Sequence, residues 1–319
     1  MTQVPAPKLS LVVPVYRNEK ALDALLSAVR DIQQQAGEAI EVVFVVDGSP
    51  DRSYAVLCGK LPGAGFASQL ISLSRNFGSF SAIRVGLEQA SGRAIAVMAA
   101  DLQEPPELVL SFWNTIRQKQ ADVVFGVREG RRDPIVSRVL SSAFWGIYRR
   151  FVMQDVPKGG VDMFAVTDVF RDRLMALRES NTSLLAQLFW LGGRREFVSY
   201  ERRERQQGQS GWTLGKKLRY LSDSVFAFTD LPVRLLIYLG VASMAVAMVL
   251  AFIVLVAKFS GWLEVPGYAG TILTILFFGA FNSLGLGVVG TYAWRAFENT
   301  KGRPLAVVQS VEHFQGHPT

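Results

Sequence analysis

Two long runs of uncharged residues near the C-terminus constrain the fold of this chain more than any other feature. Residues 235–257 and 269–294 contain no Asp, Glu, Lys or Arg. A helix over either run is longer than the roughly 30 Å hydrocarbon core of a bilayer. Two buried helices of a soluble domain are the alternative, but uncharged runs of this length are rare there. We therefore expect two transmembrane helices.

The charges around these runs predict their orientation. Basic residues before the first run and after the second are Lys216, Lys217, Arg219, Arg234, Arg295, Lys301 and Arg303. The short connection holds only Lys258 and Glu264. By the positive-inside rule, both termini and the whole chain before residue 230 face the cytoplasm of a plasma (inner) membrane protein. The N-terminal "MTQVPAPKLS" lacks an apolar core, so no signal peptide is expected.

The counts of a few residue types exclude several classes of site. One cysteine, Cys58, rules out an internal disulfide and a cysteine-based zinc site. The two histidines both lie in the last seven residues, which argues against a histidine metal cluster or base. The net charge is +7, yet the arginine cluster at 194–205 is interleaved with glutamates and no nucleic-acid motif accompanies it. We expect no nucleic-acid partner and assign the surplus of basic residues to anionic lipid head groups.

The first 130 residues alternate between two hydrophobic periods. Strand-like runs rich in Val and Ile occupy 9–16, 40–47, 69–75, 94–98 and 121–127, with helical patterns between them at 18–35, 52–60, 79–90 and 106–119. This alternation predicts an α/β fold with a doubly wound, mostly parallel sheet. Further on, we expect helices at 134–152 and 181–192 and a strand at 195–203. The domains expected are a cytoplasmic domain (1–212), an interfacial amphipathic helix (213–232), two transmembrane helices with a short external loop (233–297) and a cytoplasmic tail (298–319).

Polar residues follow the strands of this predicted sheet. Because ligands bind beyond the carboxyl ends of parallel strands, the pattern singles out Pro14, Tyr16, Asp47, Arg75, Asn76, Asp101 and Arg128. Asp47, in "VVDGSPDRS", can accept hydrogen bonds from a base edge or a ribose hydroxyl, with Gly48 and Ser49 forming the turn. Alternatively, Asp47 only caps the helix that begins near Pro50.

The stretch "AADLQEPPE" predicts a tight corner between strand four and the next helix. Pro105 and Pro106 suit the first turn of that helix, so the corner directs Asp101 and Gln103 toward the same crevice as Asp47. Carboxylate and amide oxygens are ligands that Mg²⁺ or Mn²⁺ prefers, usually together with water and phosphate. Helix capping by Asp101 is the alternative.

Basic residues after strand five are suited to an anion. Arg128 follows "VVFGV", and Arg138 and Ser142 lie four residues apart on the next helix, so both face one side. The planar guanidinium of arginine matches phosphate oxygens. For Arg131 and Arg132 a solvated surface position is favoured. A nucleotide-diphosphate site, a cation and an arginine pocket beside a membrane helix together indicate a soluble donor and an anionic lipid acceptor.

The order of these motifs resembles family 2 glycosyltransferases of the polyprenyl-phosphate type, such as dolichyl-phosphate mannose synthases and undecaprenyl-phosphate sugar transferases. The matching stretches are "VVPVYRNE", "VVDGSPDRS", "SRNFGSFSAIRVGLEQASG", "ADLQEPPEL", "GVREGRRDPIVSRVLSS", "RRERQQGQSGWTLGKKLRYLSDS" and the paired apolar runs. The resemblance covers nearly the whole chain. It implies a glycosyltransferase A-type fold and inverting transfer from a nucleotide sugar to a lipid phosphate, supplying lipid-linked sugar for envelope glycans such as lipopolysaccharide.

The resemblance also implies roles for individual residues. It places the donor nucleotide on Pro14, Tyr16, Glu19 and Asp47, and we expect Ser49, Arg75, Asn76 and Ala100 at the same donor site. The metal would be held by Asp101 and Gln103, and the acceptor phosphate by Arg128, Arg138 and Ser142. Two departures stand out. Ala99 replaces the first acid of the usual Asp-X-Asp, and Lys158 in "KGGVDMF" stands where many relatives place an acid. Asp162 follows a few residues later and either approaches the donor sugar or is structural.

The expected reaction needs no strong general base. A phosphate monoester is largely ionised at pH 7, so its oxygen can attack the anomeric carbon directly and displace a nucleoside diphosphate. Positioning and stabilisation of the departing charge would supply the catalysis. Two alternatives stay open: transfer to another membrane lipid such as a diacylglycerol, and an inactive scaffold that binds nucleotide sugar. Small residues in the spans would suit self-association.

Overall fold

The computed structural model describes residues 8–129, 146, 148–150, 153, 155–157, 161–179, 182–201, 222–260 and 268–316. The chain divides into two compact units, one formed by residues 1–217 with 303–319 and the other by residues 218–302. The second unit is thus inserted between two segments of the first. Both ends of the inserted unit return to the same α/β unit.

The first unit is an α/β unit whose helices and strands alternate. Its strands are β1 (Leu9–Val15), β2 (Ile40–Val46), β3 (Ala67–Leu73), β4 (Ala94–Val97), β5 (Val123–Glu129), β6 (Val161–Thr167), β7 (Arg195–Glu201) and β8 (Val308–Phe314). Its helices are α1 (Leu22–Ala36), α2 (Ser53–Lys60), α3 (Ser79–Gln89), α4 (Glu107–Arg117), α5 (Asp168–Ala176) and α6 (Leu184–Trp190). The expected five N-terminal strands are confirmed, as are the strand and helix expected near 195–203 and 181–192.

The strands of the described residues form one mixed sheet in the order β7-β5-β6-β4-β1-β2-β3-β8. The pairs β1–β2, β1–β4 and β2–β3 are parallel, and β5 pairs parallel with β7. In the β1–β2 ladder Val15 lies opposite Val46, so these two strands end level with each other. The expected mostly parallel α/β sheet is confirmed, and the carboxyl ends of β1 to β5 lie at one edge, which we call the rim.

Helices cover both faces of the sheet because its central strands are apolar on both sides. Leu11 and Val13 of β1 belong to a buried core that also contains residues of α1 and α4. The intervening Val12 points to the opposite face, since side chains alternate along a strand. There α3 approaches so closely that a Cβ on Gly86 would lie 2.3 Å from Cγ1 of Val12. Glycine at this position therefore lets the helix pack directly on the sheet.

Two strands were not expected from the sequence, and both run antiparallel to their neighbours. β6 is inserted between β4 and β5, so consecutive strands four and five are not neighbours. β8 lies within the segment expected only as a tail, and pairs with β3 at the edge of the sheet. Its side chains alternate between exposed and half-buried positions, the pattern of an edge strand rather than of a covered one.

The second unit contains two long helices, α7 (Leu231–Phe259) and α8 (Tyr268–Thr300). Within the described residues one stretch, Leu231–Leu250 of α7, is long and apolar enough to cross a membrane, and none of it is buried. Of the expected interfacial helix at 213–232, residues 222–228 are helical and 213–221 lie outside the described residues. The side chain of Arg295 on α8 donates to the carboxylate of Asp223 at 2.6 Å.

Candidate functional site

The loops that follow β1 and β2 are tied together at the rim by side chains expected to bind the donor. The Ser49 hydroxyl accepts the main-chain N–H of Arg17 at 2.7 Å and donates to Asp51 at 2.6 Å. Asp51 accepts the N–H of Glu19 at 3.1 Å, and the Glu19 carboxylate accepts the N–H of Arg52 at 3.2 Å. Glu19 and Ser49 therefore shape the rim loops. Asp51 was not singled out from the sequence, although it is the second acid of "DGSPD".

Asp47 follows β2 directly, and its carboxylate orders the loop after β3. One oxygen accepts the N–H of Phe77 at 2.7 Å and the other accepts the N–H of Gly78 at 2.8 Å. The residue is only 2% exposed, and its main-chain carbonyl accepts from the Asn76 amide at 3.2 Å. Burial raises the pKa of Asp47, against the lowering effect of the two N–H donors and of Arg75. These hydrogen bonds join the Asp47 carboxylate to the loop after β3 and not to the helix after Pro50, so they do not support the capping alternative.

Gly48 brings the ends of β2 and β3 into direct backbone contact. It adopts a φ of +54°, and a Cβ built on it would lie 2.3 Å from the carbonyl carbon of Arg75 and 2.4 Å from the nitrogen of Asn76. Only glycine fits this approach without moving the neighbouring chain. The turn after β2 and the loop 75–78 therefore behave as one interlocked structure.

The interlock presents polar side chains at the rim. Arg75 is exposed, with its guanidinium carbon 4.2 Å from the centre of the Phe77 ring. Asn76 is also exposed, while Tyr16 after β1 is 40% exposed and Pro14 within β1 is half-buried. The structure thus brings the ends of three adjacent strands together at the expected donor position.

Asp101 lies at the predicted corner between β4 and α4. The corner is tight: Leu102 adopts a φ of +52°, and the N–H of Gln103 points to Asp101 Oδ1 at 3.4 Å. Asp101 is half-buried, whereas Ala100 and Gln103 are buried. Met98, just before the corner, donates its N–H to the carbonyl of Val12 in β1, which fixes the corner beside the β1 loop.

The donor atoms at this corner suit a divalent cation only in part. Asp101 and Gln103 offer a carboxylate and an amide oxygen, which match Mg²⁺ or Mn²⁺. Within the ranges that the structure describes, no three His, Cys, Asp or Glu side chains gather closely enough to hold a metal ion by themselves. With Ala99 in place of a second acid, most ligands of such an ion would have to be water and substrate phosphate.

The residues expected to bind the acceptor are less completely placed. Arg128 lies in β5 opposite Tyr200 of β7, near the rim end of the strand. Asp162 lies at the start of β6, next to Val161, which pairs with Val127 near the end of β5. It therefore falls at the rim by register. Arg138 and Ser142 lie outside the described residues.

Comparison with known proteins identifies the family. The profile of glycosyl transferase family 2 matches residues 10–176, more than half of the chain. The matched part runs from β1 through α5 and contains the rim loops and the Asp101 corner. The chain belongs to glycosyl transferase family 2, and it is a glycosyltransferase.

Individual relatives align along nearly the full length. An uncharacterized glycosyltransferase of Bacillus subtilis is 31% identical over 94% of this chain and 93% of its own length. A prophage bactoprenol glucosyl transferase homolog of Escherichia coli is 28% identical over 96% of this chain and 99% of its own. Among solved structures, a mannosyltransferase of Pyrobaculum calidifontis, in complex with GDP-mannose and Mn²⁺, is 14% identical over 91% of this chain and 88% of its own, with a TM-score of 0.47.

Proposed function

We propose that this chain transfers a sugar, with inversion, from a nucleotide-diphosphate sugar to a polyprenyl phosphate at the cytoplasmic face of a membrane. The observation that carries the proposal is the end-to-end alignment with bactoprenol glucosyl transferases, which covers 95–98% of this chain and therefore includes its apolar helices. A family 2 domain joined to apolar helices suits a water-soluble donor and a lipid acceptor. The product would be a lipid-linked sugar for glycan modification at the cell envelope.

The connectivity of the chain supports a two-span topology. β8 follows α8 in sequence yet pairs with β3, so residues 308–314 must lie on the same side of a membrane as residues 8–201. The inserted unit must then cross an even number of times. If α7 crosses, as its length and composition allow, α8 is the segment that returns. The basic residues at both ends of the inserted unit favour the cytoplasm as the side that holds residues 8–201 and 308–314.

Topology can be tested in the full-length chain. A green fluorescent protein fused after residue 319 is expected to fluoresce in bacterial cells, because it folds in the cytoplasm. Alkaline phosphatase fused at the same point is expected to be inactive. The reverse pattern would place the C-terminus outside and contradict the topology.

The rim residues have separable roles in the proposed reaction. The interlocked loops would hold the nucleotide against Tyr16 and Asn76, with the Arg75 guanidinium available to the diphosphate. Asp101 and Gln103 would hold Mg²⁺ or Mn²⁺ together with the diphosphate, and the bound cation would neutralise charge on the leaving group. Arg128, at the end of β5, would attract the acceptor phosphate, as would Arg138 and Ser142. Asp162 lies at the same edge by register and would belong to the donor-sugar site.

The acceptor supplies the nucleophile. Its phosphate oxygen is already ionised at neutral pH, attacks the anomeric carbon and releases the nucleoside diphosphate, so no proton has to be removed in this step. Positioning by the rim residues makes the attack effectively unimolecular. This accounts for an active site built without histidine.

The role of Asp101 is tested by a matched pair of variants. Asp101→Asn is expected to lower transfer at least about 100-fold, because it removes the carboxylate that would hold the cation beside the leaving diphosphate. Glu107→Gln changes an exposed acid on the first turn of α4 and is expected to retain wild-type transfer. Lipid-linked sugar is measured by mass spectrometry, and circular dichroism checks folding. Equal activity of the two variants would refute the assignment of Asp101.

A further inference from the structure

The C-terminal strand β8 completes the sheet beside the donor loop. It pairs with β3 along the whole strand and ends that ladder with Val308 opposite Leu73. One residue further, the N–H of Ser74 donates to the carbonyl of Val307 at 2.9 Å. β3 is therefore paired with β2 as far as Ser72 and with the β8 segment as far as Ser74, the residue before Arg75. Without β8, the strand that leads into the donor loop would be an open edge.

Side chains of β8 also hold the helix that follows the β2 turn. The hydroxyl of Tyr54 on α2 donates to Glu312 at 2.5 Å and lies 3.2 Å from the hydroxyl of Ser310. The thiol of Cys58, one turn further along α2, lies 3.5 Å from the other oxygen of Glu312. The hydrogen bond to Glu312 raises the pKa of Tyr54.

The Tyr54–Glu312 and Ser74–Val307 contacts lie next to the two interlocked loops at the rim. α2 begins at Ser53, directly after the turn that contains Asp47 and Gly48, and Glu312 holds its first turn through Tyr54. β3 ends at Leu73, directly before the loop that Asp47 binds. β8 thus supports both halves of the interlock from the edge strand of the sheet.

We infer that residues 307–316 are a positioning segment for the donor site, acting through Tyr54 and Ser74 on the loops at 47–52 and 75–78. The inference rests on the proposed function only in naming the bound ligand as a nucleoside diphosphate. Glu312 is the positioning residue that makes the side-chain contact. A segment that follows the apolar helices in sequence thereby controls how well the donor loops are ordered.

The experiment compares three full-length variants in detergent. Glu312→Ala removes the acceptor for Tyr54, whereas Glu312→Gln keeps an oxygen at the same place and serves as the rescue. Ser91→Ala is the matched control. It removes a 3.0 Å hydrogen bond to Glu41 at the amino ends of the strands, away from the rim. For each variant, amide hydrogen exchange of residues 74–78 and the dissociation constants of UDP and GDP are measured.

The positioning role predicts a pattern that general destabilisation would not give. Glu312→Ala is expected to speed exchange at 74–78 and to weaken binding of the preferred nucleotide, each by about tenfold, as for loss of a hydrogen bond to a charged group. Glu312→Gln is expected to stay within about threefold of wild type. Ser91→Ala is expected to lower the melting temperature and leave both readouts unchanged. In transfer assays, the donor KM should rise in Glu312→Ala while kcat stays the same.

The outcomes separate the inference from the proposed function. If Glu312→Ala leaves exchange at 74–78 unchanged, the inference is wrong whatever the reaction is. It is also wrong if Ser91→Ala weakens nucleotide binding as much as Glu312→Ala does. If the wild-type chain binds neither nucleotide, the proposed donor is wrong, and the exchange rates alone then decide whether β8 orders the loop.

Discussion

Replacing Gly48 by alanine is the sharpest perturbation of the interlocked rim. The added Cβ would lie 2.3 Å from the carbonyl carbon of Arg75, where ordinary contacts begin near 3.4 Å. Both partners are backbone, so no side chain can rotate away and the loop 75–78 must move by about 1 Å, given how densely protein interiors pack. The substitution therefore displaces the loop that carries Arg75 and Asn76.

The cost has two separable parts. A non-glycine residue with φ near +54° costs roughly 1–2 kcal/mol. Forcing the neighbouring backbone aside adds about 1–3 kcal/mol, the usual range for overpacking. The sum predicts a loss of about 2–5 kcal/mol in the free energy of unfolding for Gly48→Ala.

Gly37 provides a matched control. It ends α1 with a φ of +65°, and a Cβ built there would meet no atom within 4 Å. Gly37→Ala therefore carries the conformational cost alone, about 1–2 kcal/mol. Urea denaturation of both variants measures the difference, and UDP and GDP titrations measure donor affinity. Nucleotide binding is expected to weaken about tenfold in Gly48→Ala only, because a small displacement of positioning groups is costly.

Equal losses of stability in the two glycine variants would refute the close approach. Unchanged nucleotide affinity in Gly48→Ala, despite the larger loss of stability, would mean that the loop 75–78 does not contact the donor. The first result would remove the basis for treating the ends of β2 and β3 as one structure, and the second would remove the donor role of the loop.

Three further predictions concern other parts of the chain. Arg84→Leu is expected to destabilise the fold by about 3 kcal/mol in urea denaturation, because the buried guanidinium donates to the carbonyl of Met175 at 3.1 Å. The hydrogen bond from Arg194 lowers the pKa of Asp122 below 3.8, so this pair stabilises above that pH and the contribution is lost as pH falls through the lowered pKa. Asp122→Asn should therefore lower the melting temperature at pH 7 and have no effect in strong acid. Chelation of divalent ions with EDTA should abolish transfer, and added Mg²⁺ or Mn²⁺ should restore it, because the cation would neutralise the charge of the leaving diphosphate.

The strands that position the site could be predicted from sequence because each carries a local signal. β1 and β2 are short, mostly apolar runs rich in Val, the pattern of strands in a sheet that is covered on both faces. The β4–α4 corner was predictable for the same reason, since Pro105 and Pro106 restrict the backbone locally. The positions of Asp47 and Asp101 at one edge then followed from the direction of parallel strands.

What Asp47 binds could not be predicted, because its partners are main-chain groups brought close by folding. The amides of Phe77 and Gly78 lie about 30 residues further along the chain and carry no side-chain signal for the contact. The contacts of β8 were even less predictable, because Tyr54 and Glu312 are separated by 258 residues. The β8 sequence "VQSVEHF" does not alternate between apolar and polar residues, and nothing in it names β3 as the partner.

Sugar transfer itself is the most direct measurement of the central claim. The full-length protein in detergent, with Mg²⁺ or Mn²⁺, is incubated with undecaprenyl phosphate and a panel of UDP- and GDP-sugars, and lipids are analysed by mass spectrometry. We expect one donor to yield a polyprenyl-phosphate sugar, with the nucleoside diphosphate released in equal amount. Nucleotide binding without any lipid-linked product across the panel would contradict the account, as would sugar transfer to diacylglycerol in place of the polyprenyl phosphate.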